Sequence, residues 1–192
     1  MVLVACFAGG NFIQGGLTLG KKEYIDFGIR LVEGCHSTYQ GTNTGIGPDS
    51  FSWQDIAHRQ NNPPADQQDR FNKYGFWIGS SNYNLRPEVI ESYYYAYRAT
   101  GDTKYQDWAW DAFVHVNSTC RTGSGFSALK DVTNPGKGFD NHQESYFLAE
   151  FLKYAYIIQA DDADWQVKAD QTNQFVFNTE AHPLRIANNA RG

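Results

Sequence analysis

Residues that commonly build metal centres and membrane segments are scarce in this sequence. It contains three cysteines without a CxxC motif and five histidines without an HxxxH pair, so a zinc site is a poor hypothesis. No apolar run reaches the roughly 18 residues that span a bilayer. The first residues form too short an apolar stretch, without a basic flank, for a signal peptide. Any targeting segment is therefore expected upstream of Met1.

Charge is also sparse and is spread along the chain. Charged residues make up 19% of the sequence, the net charge is −5, and no block of lysine and arginine occurs. Nucleic acids and anionic membranes bind basic patches, so neither is expected as a partner. Aromatic residues, by contrast, reach 16%. Most of them are expected to fill the core of one helical domain, because rings bury large areas.

Apolar residues at helical spacing predict four long helices. The first spans residues 24–35, and the second spans residues 87–98 with Pro87 in its first turn and Gly101 at its end. The third begins after Asp102, which can cap it. The fourth follows Asp140. Its apolar stripe consists of Phe147, Phe151, Tyr154 and Ile158.

The segments between these helices predict loops and short extended stretches. Residues 58–69 are polar and contain Pro63-Pro64, which indicates a surface loop. Residues 123–132 and 174–179 are predicted to be extended, the second as a short strand. Helices joined by short connections, with two short strands late in the chain, indicate an all-α fold: an array of α-hairpins or part of an α/α barrel.

Two glutamates in the second predicted helix are candidates for chemistry. Glu88 and Glu91 lie three residues apart, so they share one face of the helix. Arg86, directly before Pro87, adds a cation beside them. On spacing alone, compensation of the helix dipole is the simpler interpretation of both glutamates.

Three further residues carry weaker signals. Glu150 lies among apolar residues of the fourth helix and shares a face with Tyr146. An unpaired buried charge is costly, so Glu150 either forms a structural ion pair with Lys153 or an arginine, or belongs to a polar site. Thr179 offers a hydroxyl and a carbonyl, which are hard oxygen ligands, although its surroundings also fit an ordinary strand end.

A family resemblance is carried by seven segments that occur in order along the chain. They are Cys6-Phe-Ala-Gly-Gly-Asn-Phe, Gly45-Ile-Gly-Pro-Asp, Leu85-Arg-Pro-Glu-Val-Ile-Glu-Ser, Tyr97-Arg-Ala-Thr-Gly-Asp, Tyr105-Gln-Asp-Trp, Glu144-Ser-Tyr-Phe-Leu-Ala-Glu and Phe177-Asn-Thr-Glu-Ala-His-Pro. Together they cover nearly the whole chain and resemble the class I α-1,2-mannosidases, glycoside hydrolase family 47. The Ala-Gly-Gly-Asn-Phe stretch is most similar to the fungal branch.

The resemblance implies a fold, a reaction and a cofactor. The fold would be part of an (α/α) barrel of seven helix hairpins, whose bore is plugged by a late β-hairpin that carries the Thr-Glu-Ala-His-Pro strand. The reaction would be inverting, Ca²⁺-dependent hydrolysis of α-1,2-linked mannose from high-mannose N-glycans. Thr179 would be the one direct protein ligand of Ca²⁺. Its water ligands would be held by Glu88, Glu150 and Glu180.

The resemblance also assigns the other site residues. Glu88 would be the general base that accepts a proton from the nucleophilic water. The substrate-binding residues would be Arg86, Glu91, Tyr146 and Glu150, of which Glu91 would support Arg86 or the water shell. Cys6 and Cys35 would form a disulfide and leave Cys120 free.

Two features depart from the family pattern. Inverting hydrolysis needs a carboxylic acid roughly 6.5–9.5 Å from the base, and the family takes this acid from the N-terminal half of the barrel. Residues 1–192 are therefore expected to be the C-terminal portion of a single catalytic domain, inactive when isolated. In addition, Leu3 stands where the family usually has a histidine that contacts sugar.

Three functions stay open at this point: a piece of a calcium-dependent glycosidase, a catalytically dead mannose-binding module, and an α-hairpin scaffold for protein partners. Residues 85–92 and 177–183 disfavour the scaffold, which has no need of polar glutamates beside arginine. The expected partner is a high-mannose N-glycan, with no stable protein partner. The expected location is the secretory pathway, secreted or Golgi-anchored, and Asn117-Ser118-Thr119 is a candidate glycosylation acceptor.

Overall fold

Helices dominate the computed structural model, which describes residues 1–55, 61–170 and 172–187. The helices are α1 (Phe7–Leu19), α2 (Lys22–Gln40), α3 (Gln68–Tyr74), α4 (Glu88–Thr100), α5 (Lys104–Cys120) and α6 (Leu152–Ile157). A 3₁₀ turn, Leu3–Cys6, leads into α1, and a π-helical segment, Phe147–Phe151, runs directly into α6. Two further 3₁₀ turns are Ala65–Gln67 and Pro135–Lys137. None of the helices in the described ranges has the length and apolar character that a bilayer span needs.

Two small antiparallel sheets accompany the helices in the described residues. In the first, β1 (Ser50–Ser52) pairs with β2 (Trp77–Ser80). In the second, β3 (Phe175–Phe177) pairs with β4 (Pro183–Arg185) in the register Phe177 to Pro183. The five residues between β3 and β4 form a turn, and Thr179 lies in it.

Helices α1 and α2 cross with their backbones in contact. A Cβ atom on Gly28 would lie 2.7 Å from the carbonyl oxygen of Gly9, and one on Gly9 would lie 2.8 Å from Cγ2 of Val32. Real side chains do not fit at such distances, so the crossing requires glycine at both positions.

Helix α4 is fixed against α1 through one buried hydroxyl. The Oγ of Ser92 accepts a hydrogen bond from the backbone N–H of Gly10 at 2.9 Å and donates one to the carbonyl of Cys6 at 2.7 Å. Cys6 and Gly10, on either side of the first turn of α1, are thereby tied to the helix that carries Glu88 and Glu91.

The core is built largely from aromatic rings, as the composition predicted. Its largest fully buried side chains include Tyr83, Tyr93, Tyr94, Tyr105, Tyr154, Phe147 and Phe151. The predicted disulfide between Cys6 and Cys35 is present, with 6.1 Å between the two Cα atoms, and the thiol of Cys120 is free and buried.

All four predicted helices are present, with corrected boundaries. Helix α4 ends before Gly101, whose φ is 70°, and Asp102 Oδ1 accepts from the N–H of Lys104 at the start of α5. The helix expected directly after Asp140 begins only at residue 145. The π-helical turn within it was not predicted.

The short strand predicted within residues 174–179 is confirmed as β3, whereas several other predictions outside the helices were wrong. Of the predicted loop 58–69, residues 58–60 lie outside the described residues, and the later part forms the turn Ala65–Gln67 and the start of α3. Residues 123–132 contain only isolated bridges, such as Arg121 with Phe126. The segment with Thr179 is a turn and not a strand, because Asn178 bonds back across it.

Candidate active site

Four of the predicted site residues line one pocket of about 410 Å³: Glu88, Glu91, Glu150 and Thr179. They come from three separate parts of the chain, so their assembly is a result of the fold. The other residues that line this pocket are Val4, Phe7, Asn11, Tyr95, Phe177 and Asn178. We refer to this cavity as the carboxylate pocket.

The local structure of each element aims its carboxylate at the carboxylate pocket. Glu88 is the first residue of α4 and Glu91 follows in the same turn, after Pro87. Leu85, two residues before Pro87, is fully buried and has a φ of 58°. This left-handed conformation costs a branched residue energy, and it redirects the chain into the helix. Glu150 lies within the π-helical segment and is 9% exposed.

Glu88 has one carboxylate oxygen that the described residues leave without a partner. Its Oε2 is buried and accepts no hydrogen bond there. Its Oε1 lies 3.8 Å from Nη1 of Arg86, which is a loose ion pair. Burial raises the pKa of Glu88, while a backbone hydrogen bond and the charge of Arg86 oppose that rise. A buried acceptor with no donor is costly, so a water, ion or ligand is expected at this oxygen.

Burial and the charges of neighbouring glutamates raise the pKa values of the other two carboxylates, Glu91 and Glu150. Burial, and then the charges of Glu150 and Glu88, raise the pKa of Glu91 to about 8. Burial, and then the charges of Glu88 and Glu180, raise the pKa of Glu150 to about 7. None of the described residues that line the carboxylate pocket carries a positive charge, and a cation or protons would relieve the repulsion.

Arg86 and Tyr146 lie together beside Glu88, and two residues that were not predicted hold them. Asp49 Oδ1 accepts from Nε of Arg86 at 3.3 Å and from Nδ2 of Asn84 at 3.1 Å. The hydroxyl of Tyr146 donates to the carbonyl of Asn84 at 2.7 Å, and the guanidinium of Arg86 lies 5.8 Å from the centre of its ring. This network fixes a cation and a phenol ring at one edge of the glutamates.

Neither Glu150 nor Glu91 forms the ion pair that the sequence allowed for it within the described residues. Within the described residues, Glu150 forms no ion pair, since the ammonium of Lys153 donates to the carbonyl of Glu180 at 2.8 Å. Glu91 accepts from the hydroxyl of Tyr154 at 3.4 Å. It makes no ion pair with Arg86 in the part of the chain that the structure describes.

The donor set fits a hard cation that is bound mainly through water. Nowhere in the described ranges do three His, Cys, Asp or Glu side chains come close enough to hold a metal directly. Thr179, whose hydroxyl and carbonyl are both hard oxygen ligands, nevertheless lines the carboxylate pocket together with Glu88 and Glu150. With the unpartnered oxygen of Glu88, these groups suit Ca²⁺, which takes six to eight oxygen ligands including water.

Comparison with known proteins covers almost the whole chain. The family model described as glycosyl hydrolase family 47 matches residues 1–186. The chain belongs to glycosyl hydrolase family 47.

Individual members of family 47 match at about half of the aligned positions. The mannosyl-oligosaccharide alpha-1,2-mannosidase of Penicillium citrinum is 51% identical over 97% of this chain and 36% of its own length. The mannosyl-oligosaccharide alpha-1,2-mannosidase 1B of Aspergillus phoenicis is 53% identical over 96% of this chain and 35% of its own length. The chain therefore spans about a third of the curated relatives it matches.

A solved family 47 structure has the same fold. The alpha-1,2-mannosidase from Trichoderma reesei superposes with a TM-score of 0.93 at 48% identity, over 97% of this chain and 39% of that one. The mostly helical fold with two small sheets is thus the fold of this part of a family 47 enzyme.

The remaining predicted residues lie outside the carboxylate pocket. Glu180 does not line it, although its charge raises the pKa of Glu150. Leu3 is fully buried in the core, and the neighbouring Val4 faces the pocket instead. Asn117 lies half-buried in the last turn of α5, and its use as a glycosylation acceptor stays a prediction.

Sequence reasoning missed Asn11, Asp49 and Asn84. Asn11 and Asp49 occur in two of the segments that carry the resemblance, which was the available signal. Asn84 directly precedes a third such segment, and nothing in the local pattern marks it.

Proposed function

We propose that this chain is the C-terminal part of a Ca²⁺-dependent, inverting α-1,2-mannosidase that acts on high-mannose N-glycans. The observation that carries the proposal is the carboxylate pocket, in which three glutamates and Thr179 converge and Glu88 keeps a buried oxygen without a partner. Relatives that bear the name mannosyl-oligosaccharide alpha-1,2-mannosidase share half of the residues of this chain.

Glu88 is the general base in this proposal. A base must be ionised and must be held in place. Its position at the start of α4 fixes the carboxylate, and the charge of Arg86 favours the ionised form against burial. The free Oε2 then accepts the proton of a water that attacks the anomeric carbon of mannose from the opposite face of the leaving group.

The sugar is oriented by the group next to this base. Arg86 offers hydrogen-bond donors to mannose hydroxyls, and the ring of Tyr146 offers an apolar face. Asp49 and Asn84 keep both side chains in place. Binding of a hydroxyl-rich ring therefore costs little reorganisation.

Calcium would be held by the hydroxyl and carbonyl of Thr179 and, through water, by Glu88, Glu150 and Glu180. Bound there, Ca²⁺ would neutralise the carboxylates and polarise the water and sugar hydroxyls around it. Its positive charge would also lower the raised pKa values of Glu91 and Glu150, so that the pocket could be fully ionised at neutral pH.

The catalytic acid and the other hairpins of an (α/α) barrel would come from the part of the relatives that this chain does not span. In that barrel the β3–β4 hairpin would plug the bore. A location in the secretory pathway fits the Cys6–Cys35 disulfide, because such bonds persist in oxidising compartments.

The test uses a chimera in which this chain replaces the matching segment of the Trichoderma reesei enzyme. Glu88→Gln keeps size and hydrogen bonding but removes basicity, and is expected to lower kcat on α-1,2-mannobiose by roughly 10²–10⁴. Calcium and mannose binding should stay nearly intact. Glu33→Gln is the matched control, because Glu33 is exposed and its ion-pair partner among the described residues is Lys104.

The proposal for Glu88 fails if kcat falls by less than about tenfold while changing an aspartate in the other part of the enzyme abolishes turnover. A chimera that binds mannose and calcium but never turns over would instead favour a catalytically dead, mannose-binding module.

A further inference from the structure

One lysine connects the helix that carries Glu150 to the turn that carries Thr179. Lys153 lies on α6, three residues after Glu150. Its ammonium donates to the carbonyl oxygen of Glu180 at 2.8 Å and lies 3.1 Å from Nδ1 of His182. Two elements that are 27 residues apart in sequence, and that carry the pocket residues Glu150 and Thr179, are thereby joined.

Internal hydrogen bonds set the shape of this turn. Oδ1 of Asn178 accepts from the N–H groups of Glu180 and His182, at 3.2 and 2.9 Å. Ala181 donates to the carbonyl of Asn178 and holds a left-handed φ of 55°. These bonds close the turn on itself, so they define its form without tying it to the helices.

The position of the turn depends on few contacts. Strands β3 and β4 have three residues each, and every residue of β4 is exposed. A two-stranded hairpin of this size is marginal alone. Phe177 anchors the end of β3 by packing against Tyr94 and Tyr154. At the other end of the turn, beyond Thr179, Ala181 is buried in the core and the side chain of Lys153 attaches the turn to α6.

We propose, resting on the calcium site proposed above, that Lys153 is a positioning residue for Ca²⁺: it holds the Thr179 turn beside Glu150 before the ion binds. The ammonium contacts the carbonyl of the residue that follows Thr179, so it restrains the ligand without occupying its oxygens. Groups that orient a metal ligand in this way commonly contribute tenfold to hundredfold to metal affinity.

The same ammonium also repels a cation, so the two effects have opposite signs. If repulsion were the larger effect, removing Lys153 would tighten calcium binding. If positioning is the larger effect, as proposed, removal weakens binding even though a positive charge has been lost. The sign of the change therefore decides between them.

The experiment is a calorimetric titration of the full chain with Ca²⁺. Lys153→Met, which keeps the length of the side chain but loses its donors, should weaken calcium binding by about tenfold or more. Lys153→Arg keeps charge and donors and should restore part of the loss. Lys22→Met is the control, since Lys22 is an exposed partner of Asp26 far from the turn. Unchanged or tighter binding by Lys153→Met overturns the proposal.

A second measurement separates this proposal from the calcium site itself. In calcium-free buffer, amide hydrogen exchange at Glu180 and His182 should be faster in Lys153→Met than in the parent chain, with no change in α1 or α2. If the parent chain binds no calcium, the proposed metal site fails. Equal exchange rates in the parent chain and the variant then refute the positioning role of Lys153 as well, whereas faster exchange shows that Lys153 holds the turn.

Discussion

At the scale of one residue, the raised pKa of Glu91 shows how the carboxylate pocket lowers the free energy of unfolding. Burial and the neighbouring glutamates raise its pKa to about 8, whereas a glutamate in an unfolded chain titrates near about 4.3. Between these values the folded chain keeps a proton that the unfolded chain has lost. The free energy of unfolding therefore falls as pH rises through this range.

We expect the calcium-free chain to lose stability from about pH 6.5 to about pH 8, because of Glu91 over the whole range and Glu150 up to about pH 7. His36 acts in the opposite direction, since burial lowers its pKa to about 4, but its contribution ends near pH 6.5. Thermal unfolding in a chelating buffer across this window measures the slope. Glu91→Gln should flatten it, and Glu33→Gln, at an exposed ion pair, should not. A slope between about pH 7 and about pH 8 that persists in Glu91→Gln would contradict the raised pKa of Glu91.

The sequence located the residues of this site to different degrees. Glu88, Glu91, Glu150 and Thr179 were predicted because their segments resemble those of a known family. Asp49 was not, because its role depends on Arg86, which lies 37 residues away and comes within 3.3 Å only after folding. Polar networks that join distant loops leave no periodic pattern in a sequence.

At the scale of single elements, the crossing of α1 and α2 leads to a second prediction. Gly28→Ala should destabilise the chain by about 1–3 kcal/mol, because its Cβ would meet backbone atoms of α1 that cannot yield. Gly34→Ala, in the same helix, has open space around it and should stabilise the chain by about 0.5–1 kcal/mol through helix propensity. Urea unfolding of both variants measures the difference, and effects of equal sign would contradict the close crossing.

Glycines also explain why α1 was not predicted. Four of its thirteen residues are glycine, so its sequence lacks the apolar spacing that marks a helix. Tertiary contact with α2 and α4, and not intrinsic propensity, accounts for this helix. Helix α3 was not predicted for a related reason, because none of its seven residues is buried and its sequence therefore shows no apolar residues at helical spacing.

At the scale of the whole molecule, an apolar groove lies between α5 and α6. Its lining includes Trp110, which is 55% exposed, and Tyr156, which is 71% exposed. Leu148 nearby is 57% exposed. Large exposed apolar surfaces of this kind mark sites of association, and the chain spans only 36% of a relative such as the Penicillium citrinum enzyme.

We therefore expect the isolated chain to self-associate and to show no useful hydrolase activity. Light scattering after size-exclusion chromatography should show species larger than the monomer. Tyr156→Lys should reduce their proportion by placing charge in the groove, whereas Leu184→Lys, at a similarly exposed position on β4, should not. Turnover of α-1,2-mannobiose by the monomeric chain, at a rate near that of family 47 enzymes, would refute the claim that the acid lies elsewhere.

The π-helical segment has a consequence for insertions and deletions in this family member. A π turn accommodates one residue more than an α turn, so the helix around Glu150 has the geometry that a single inserted residue would leave. Removing Ala149 would let the segment relax to a regular α-helix. Because the π turn already absorbs one extra residue, every later residue would keep nearly its present direction relative to Tyr146. Lys153 would keep facing Glu180, so the two functional ends of the helix would stay aligned and only the local position of Glu150 would change.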